Sequence, residues 1–314
     1  MSDLLEYAVR KLIIGAFVVF VVTVVLFCIM QLMPGDPIQL ISNPRIPPEK
    51  IAELKKHWGL DKPVYVQYFY WLFHILQGDF GTSITTGQKV ITLIKARLPY
   101  TLLLAGGSLI FQYIIAIPLG LMAAYKEHSI FDSMVVVSTI IFWSIPSFWL
   151  GILLILIFSL KLKLLPVSGY DGLSSLILPL MTATLPNLAS TLRLTRSEVL
   201  EVLREKYVST AYAKGLSEKR VLIFHVLRNA LIPVTLMFFL YLPWTVGGAV
   251  IIETIFSWPG MGRLLWTAIS SQDFPVVQGI IFIIAILTVV SNIAGDIITA
   301  CLDPRIRAEI RGES

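Results

Sequence analysis

Long apolar runs recur along this chain, each long enough to cross a bilayer as a helix. A hydrocarbon core takes about 20 apolar helical residues to span, with a range of about 17–25. Six stretches qualify: 12–33, 102–124, 134–160, 176–192, 231–252 and 276–301. Backbone groups in lipid must be bonded within their own segment, so continuous runs of this length are read as helices. The expected fold is all-α, a polytopic membrane protein with about six transmembrane helices and one membrane domain over 1–314. Composition agrees. Only 14% of residues are charged, against about 25% in soluble chains, and mean hydropathy is +0.80.

The first run follows the basic pair Arg10-Lys11. It exceeds the 7–15-residue core of a signal peptide and no small-x-small cleavage site follows, so a retained helix is expected. Segment 34–97 is different: polar, broken by prolines and rich in aromatics. Pro48-Glu49-Lys50 should open a short amphipathic helix carrying Ile51, Leu54 and Trp58, and Gly78-Asp79-Phe80-Gly81-Thr82-Ser83 reads as a turn-rich stretch. The fourth run holds Pro179, Thr182, Thr184, Pro186 and Asn187. Polar, proline-bent helix is tolerated at membrane depth where it faces protein or a water-filled cavity.

Orientation follows from basic residues in short loops. With the N-terminus inside, the inner side collects Arg10, Lys11, Lys126, eight basic residues from Arg193 to Arg228, and Arg305, Arg307 and Arg311; the short outer loops hold only Lys161, Lys163 and Arg263. Both termini are then cytoplasmic and 34–97 is extracytoplasmic, long enough to be exempt from the rule. The net charge of +5 is thus a matter of topology, and nucleic acid is not an expected partner. Cys28, Cys301 and four scattered histidines form no disulfide framework and no metal site.

The inside loop 195–230 is the most informative part. Val199, Leu203, Tyr207 and Ala211 recur every fourth residue, the spacing of one helix face, with Glu205 off that stripe. Gly215 stands where a helix C′ glycine belongs, and Lys214 suits the negative end of the helix dipole. Leu216 follows, then Ser217 in the position of an N-cap with Glu218 in the next first turn. The result is a helix–turn–helix hairpin between two membrane helices. Ser209, Thr210, Ala211, Ala213 and Gly215 are small enough for a partner's backbone to come close, and a partner's rigid-body motion would tilt the adjoining helices. An ordinary amphipathic connection is the other reading of the same residues.

This hairpin resembles the EAA loop by which permeases of ABC importers dock onto their ATPases. Tyr207-Val208, Ala213-Lys214-Gly215-Leu216-Ser217 and His225-x-Leu227-Arg228-Asn229-Ala230-Leu231-Ile232-Pro233 are similar to the dipeptide/oligopeptide/nickel branch, with Lys206 and Tyr212 departing from its usual pattern. Further similarities run along nearly the whole chain: Met33-Pro34-Gly35-Asp36-Pro37, Arg97-Leu98-Pro99-x-Thr101-Leu102, Pro146-Ser147-Phe148-Trp149, Glu253-Thr254-Ile255-Phe256-Ser257-Trp258-Pro259-Gly260-Met261-Gly262 and Leu302-Asp303-Pro304-Arg305. Together they resemble the first, B-type permease of such systems. The resemblance implies a heterodimer with a second homologous permease, two ABC ATPase subunits, an extracytoplasmic substrate-binding protein and a prokaryotic cell membrane. It implies import of dipeptides or oligopeptides, with nickel complexes or oligosaccharides as alternative cargo.

The chain has no G-x-x-x-x-G-K-[ST] loop to cradle phosphates and no visible nucleophile–base set. No catalytic residue is expected, and ATP and Mg would be bound by the partner subunits. Intramembrane ionisable residues are functional candidates by default. Asp296 and Glu253 are such positions, each with a bland alternative as a structural ion pair or a helix-end carboxylate. Gln112, Trp143, Ser144, Ser147, Thr182, Thr184, Asn187 and Asn292 complete the candidate path, although such side chains also glue helices together. A stand-alone secondary transporter or channel is the competing class, and it would have no use for the hairpin.

Overall fold

The computed structural model describes residues 2–32 and 62–302. The helix expected from Pro48, the Met33–Pro37 motif and the Asp303-Pro304-Arg305 ending lie outside the described residues. Helices are α1 (Ser2–Leu32), α2 (Val64–Leu76), α3 (Val90–Tyr125), α4 (Ile130–Ser144), α5 (Ser147–Leu154), α6 (Ser174–Leu203), α7 (Lys206–Ala213), α8 (Glu218–Arg220), α9 (Arg228–Ile255), α10 (Met261–Ser270) and α11 (Phe274–Leu302). Two stretches, Ile155–Lys161 after α5 and Val221–Leu227 before α9, are wound as π-helix. Among the described residues the β structure is one antiparallel bridge, Thr82 to Lys89.

Among the described residues five helices are long and apolar enough to cross a membrane, and there is a sixth span if the bent α4–α5 pair counts as one. The runs 102–124, 176–192, 231–252 and 276–301 each lie within a helix longer than themselves, and the first fills α1 as far as Leu32, because the polar flanks continue the backbone hydrogen bonding. The exception is 134–160. The straight span expected there is two helices meeting at 104°. Pro146 lacks an amide hydrogen and disfavours helical geometry in the residue before it, and Ile145 is extended (φ −86, ψ 121). Proline alone does not decide the matter, since Pro99, Pro118, Pro179 and Pro186 all sit inside continuous helices.

The most extensive helix pair is α3 with α6, flanked by α4 and α9, while α11 joins α9 to α1. The apolar core is divided along the bundle. One cluster, at the end away from the hairpin, gathers Leu104, Leu150, Leu178, Phe256 and Trp258; another, at the hairpin end, gathers Ala124, Val199, Val208, Ala211, Val221, Val226 and Ala230. Helix α2, unforeseen within the polar segment, lies on α1. Buried Tyr68 stacks edge-on against Phe27 at 5.5 Å and shares a 2.9 Å hydrogen bond with the fully buried Thr23.

Candidate functional site

The hairpin is built as a rigid tip on an apolar base. The single helix expected through Val199, Leu203, Tyr207 and Ala211 is broken. Helix α6 ends at Leu203, Glu205 is extended (φ −71, ψ 141), and α7 starts at Lys206. That one extended residue re-phases the chain, so Val208 and not Tyr207 takes the buried place beside Val199 and Ala211. Tyr207 lies at the edge, where its hydroxyl accepts a 2.7 Å hydrogen bond from Asn229 Nδ2.

Gly215 adopts φ +76, a left-handed conformation that costs an L side chain about 1–2 kcal/mol. Its amide donates to Tyr212 O and the Leu216 amide to Ala211 O, at 2.9 and 3.4 Å. This pair of bonds is a Schellman cap. Leu216 folds back onto the apolar base, while Ser209, Thr210, Ala213, Lys214, Gly215 and Ser217 face outward. Ser217 begins the next helical turn in N-cap backbone geometry, but its side chain makes no capping bond; its carbonyl accepts from Arg220 and Val221.

Two polar clasps that periodicity does not reveal hold the bundle beyond the hairpin. At the hairpin end, Arg196 of α6 donates to Asp132 of α4 through Nε (2.6 Å) and Nη2 (2.7 Å). The Asp132 carboxylate also accepts from the His128 amide, and Ser129 Oγ caps the helix by accepting from the Asp132 amide. At the other end, Asp273, just before α11, accepts the Ser83 hydroxyl and the amides of Ile84 and Thr85. The turn-rich Gly78–Ser83 stretch is thereby tied to a residue on the far side of the sequence.

Glu253 is the centre of a third cluster. It is 0% exposed. The Met261 amide donates to Thr101 Oγ1 (2.8 Å), and the Thr101 hydroxyl passes on a 2.7 Å bond to Glu253 Oε1. Oε2 accepts from the Arg263 amide at 3.0 Å, and the Gly262 amide also bonds the carboxylate. Gly260 leaves no room for a side chain, because a Cβ there would strike the Glu253 carboxylate itself. Trp258, also 0% exposed, donates from Nε1 to Tyr100 O at 3.0 Å. The two motifs around Thr101 and Glu253 thus interlock into one knot joining α3, α9 and α10.

The candidate path residues divide into enclosed and open ones. Glu253, Gln112, Thr182 and Thr184 are at most 3% exposed within this chain. Gln112 donates to Thr191 Oγ1 (2.6 Å) and Asn187 O, and Thr184 to Ser108 O, which joins α3 to α6; Thr182 bonds its own helix. Polar groups buried beside another helix find their bonds there, and here they fasten the bundle. Asp296 forms a 2.7 Å ion pair with Lys11, fastening α11 to α1. Trp143, Ser144, Asn187 and Asn292 are exposed on the chain's surface, and Ser147 is half-buried at the start of α5.

The model of the family described as the binding-protein-dependent transport system inner membrane component matches residues 116–308, and the model of the N-terminal membrane component of such systems matches residues 4–105. The oligopeptide transport system permease protein AppB of Bacillus subtilis is 40% identical over 311 residues, covering 96% of this chain and 98% of that protein. The di/tripeptide transport system permease protein DppB of Pseudomonas aeruginosa is 39% identical, covering 97% and 99%, respectively. The glutathione transport system permease protein GsiC of Salmonella typhimurium is 36% identical over the same shares of the two chains. Among solved structures, an inward-facing form of the MetNI methionine ABC transporter shares the fold, with a TM-score of 0.52 at 17% identity over 68% of this chain and 97% of that one.

Proposed function

Because this chain belongs to the binding-protein-dependent transport permease family, as a B-type membrane subunit of an ABC importer, we propose that it forms half of a path for dipeptides or oligopeptides. A second homologous permease supplies the other half. Two ATPase subunits, which bind ATP and Mg, dock on the α7 hairpin, and an extracytoplasmic binding protein delivers cargo to the opposite end. The hairpin is cytoplasmic by the distribution of basic residues, both termini lie on that side, and the membrane is a prokaryotic cell membrane. Peptide cargo is supported by the names of the relatives, which carry oligopeptides, di/tripeptides and glutathione.

The observation that carries this reading is the hairpin itself. Its tip is small, outward-facing and locked by the Gly215 cap, while its base is packed among residues of α3, α6, α7 and the start of α9. Force on the tip therefore reaches several membrane helices at once. The test is co-purification with the neighbouring subunits, then ATPase stimulation and uptake in vesicles with loaded binding protein. A Cβ at Gly215 meets no atom within 4 Å, so the main cost of Gly215→Val lies in the left-handed turn. The variant should assemble and yet lose the coupling between ATP hydrolysis and peptide uptake. Normal coupled uptake in that variant, or full uptake by this chain without ATPases, would refute the hairpin's role.

A further inference from the structure

Helix α6 carries two arginines in unlike settings. Arg196 is neutralised by Asp132. Arg193 has no carboxylate within ion-pairing distance among the described residues. Its Nε bonds the Ala189 carbonyl of its own helix (3.3 Å), and its guanidinium lies over the Trp143 ring, 4.9 Å from the centroid. Arg193 is not at a helix end: it precedes Leu203 by ten residues, roughly 15 Å at 1.5 Å per residue.

The neighbours of α6 show which side Arg193 occupies. Leu188, Leu192 and Arg196 face α4 through Val135 and Asp132. Thr191 faces α3 through Gln112, and Ser190 is reached from α9 by the Tyr241 hydroxyl at 3.4 Å. Between the α4 and α9 contacts an open strip of α6 remains, with Arg193 and Ser197 about 40° apart at 100° per residue. Arg193 and Ser197 are exposed, and so is Trp143, which forms the α4 wall of the strip at 59% exposure. Stacking on an aromatic face holds a guanidinium in place and leaves its N–H fork free for a carboxylate.

We propose that Arg193, braced by Trp143, is an anion-recognising residue of the translocation path that receives the C-terminal carboxylate of a passing peptide. The inference rests on the peptide reading above. A peptide always carries that carboxylate, whatever its side chains, so one fixed cation serves many sequences. Arg193 is exposed at the inner end of the fourth apolar run, where its guanidinium is open to a transient anionic partner.

The test uses the whole transporter in proteoliposomes: both permeases, both ATPases and the binding protein. Uptake of a dipeptide and of its C-terminally amidated form is measured for the parent, Arg193→Gln and Arg193→Lys. Peptide-stimulated ATPase activity checks assembly. For the free acid, Arg193→Gln should reduce uptake about tenfold, and Arg193→Lys, which keeps the charge, should retain at least a third of it. The amide, where the parent carries it, should be affected less than twofold by either change. Equal loss with Lys and Gln, equal loss for acid and amide, or no loss at all would overturn this inference while leaving the peptide reading intact. A parent complex that neither hydrolyses ATP in response to peptide nor takes peptide up would overturn both.

Discussion

Replacing Glu253 by glutamine changes one atom in the knot between α3, α9 and α10, and the consequence can be worked out from the hydrogen-bond directions. Every partner of this side chain is a donor. The Thr101 hydroxyl donates to Oε1 while its oxygen accepts the Met261 amide. On the other oxygen the Arg263 N–H is fixed by the backbone. A glutamine that keeps its oxygen on the Arg263 and Gly262 amides turns its NH₂ group to Thr101 Oγ1, and the bond donated by the Thr101 hydroxyl is lost. The bond lost is a charge-assisted one, about 1.5–3 kcal/mol, and the surviving bonds weaken toward neutral strength. The expected destabilisation is about 3 kcal/mol. Glu253→Ala should cost more, since it strands three donors and leaves a void beside Gly260. Unfolding of the purified protein in mixed micelles with increasing SDS measures the difference, with Thr101→Val as the companion variant. If Glu253→Gln and Thr101→Val both unfold at the parent's midpoint, the carboxylate does not hold the knot and the reasoning fails.

Two further clasps give predictions of the same kind. Asp132→Ala leaves Arg196 without its partner at a place where the aspartate is only 4% exposed; breaking a fully buried pair costs about 3–5 kcal/mol. Because the Arg196 side chain is 23% exposed, about 2 kcal/mol is expected, and Asp132→Ala/Arg196→Leu should recover part of it in the same SDS titration; a double variant weaker than the single would count against the pair. Asp273→Asn turns an amide against the donors of the 83–85 turn, and hydrogen exchange at the Ile84 and Thr85 amides should quicken at least tenfold, the equivalent of about 1.4 kcal/mol. Unchanged protection there would mean that the turn holds itself.

Much of the architecture was legible because bilayer thickness imposes a length on apolar runs, and run length is a local property of a sequence. The Gly215 turn was legible for a similar reason: glycine, its neighbours and the two bonds of its cap lie within six residues of one another. What was not legible depends on distance along the chain. Ser83 and Asp273 are 190 positions apart, and Thr101 and Glu253 are 152 apart; neither pair leaves a periodic trace. The polar residues of the fourth run were visible, but whether Thr184 or Asn187 faces a neighbour or open space depends on where α3, α4 and α9 stand around α6. The break at Ile145-Pro146 and the continuity at Pro179 and Pro186 look alike in sequence, since packing decides which proline a helix absorbs. The extended Glu205 was hidden in the same way, within an every-fourth-residue pattern that ran straight across it.

The π-wound segment Val221–Leu227 joins the hairpin to α9, and it buries Val221 and Val226 together, both 0% exposed. In an α-helix, residues five apart point about 140° away from each other. Here the wider winding brings them onto one side. The segment therefore behaves as a spacer whose winding sets an angle. Rewound as ordinary α-helix with the same seven residues, the segment would rotate everything before it relative to α9, because each residue then adds about 100° in place of the smaller π step. Composition could be kept apolar throughout and the hairpin would still point the wrong way. At this joint the chain is constrained by how it is wound, a demand that apolar composition alone does not meet.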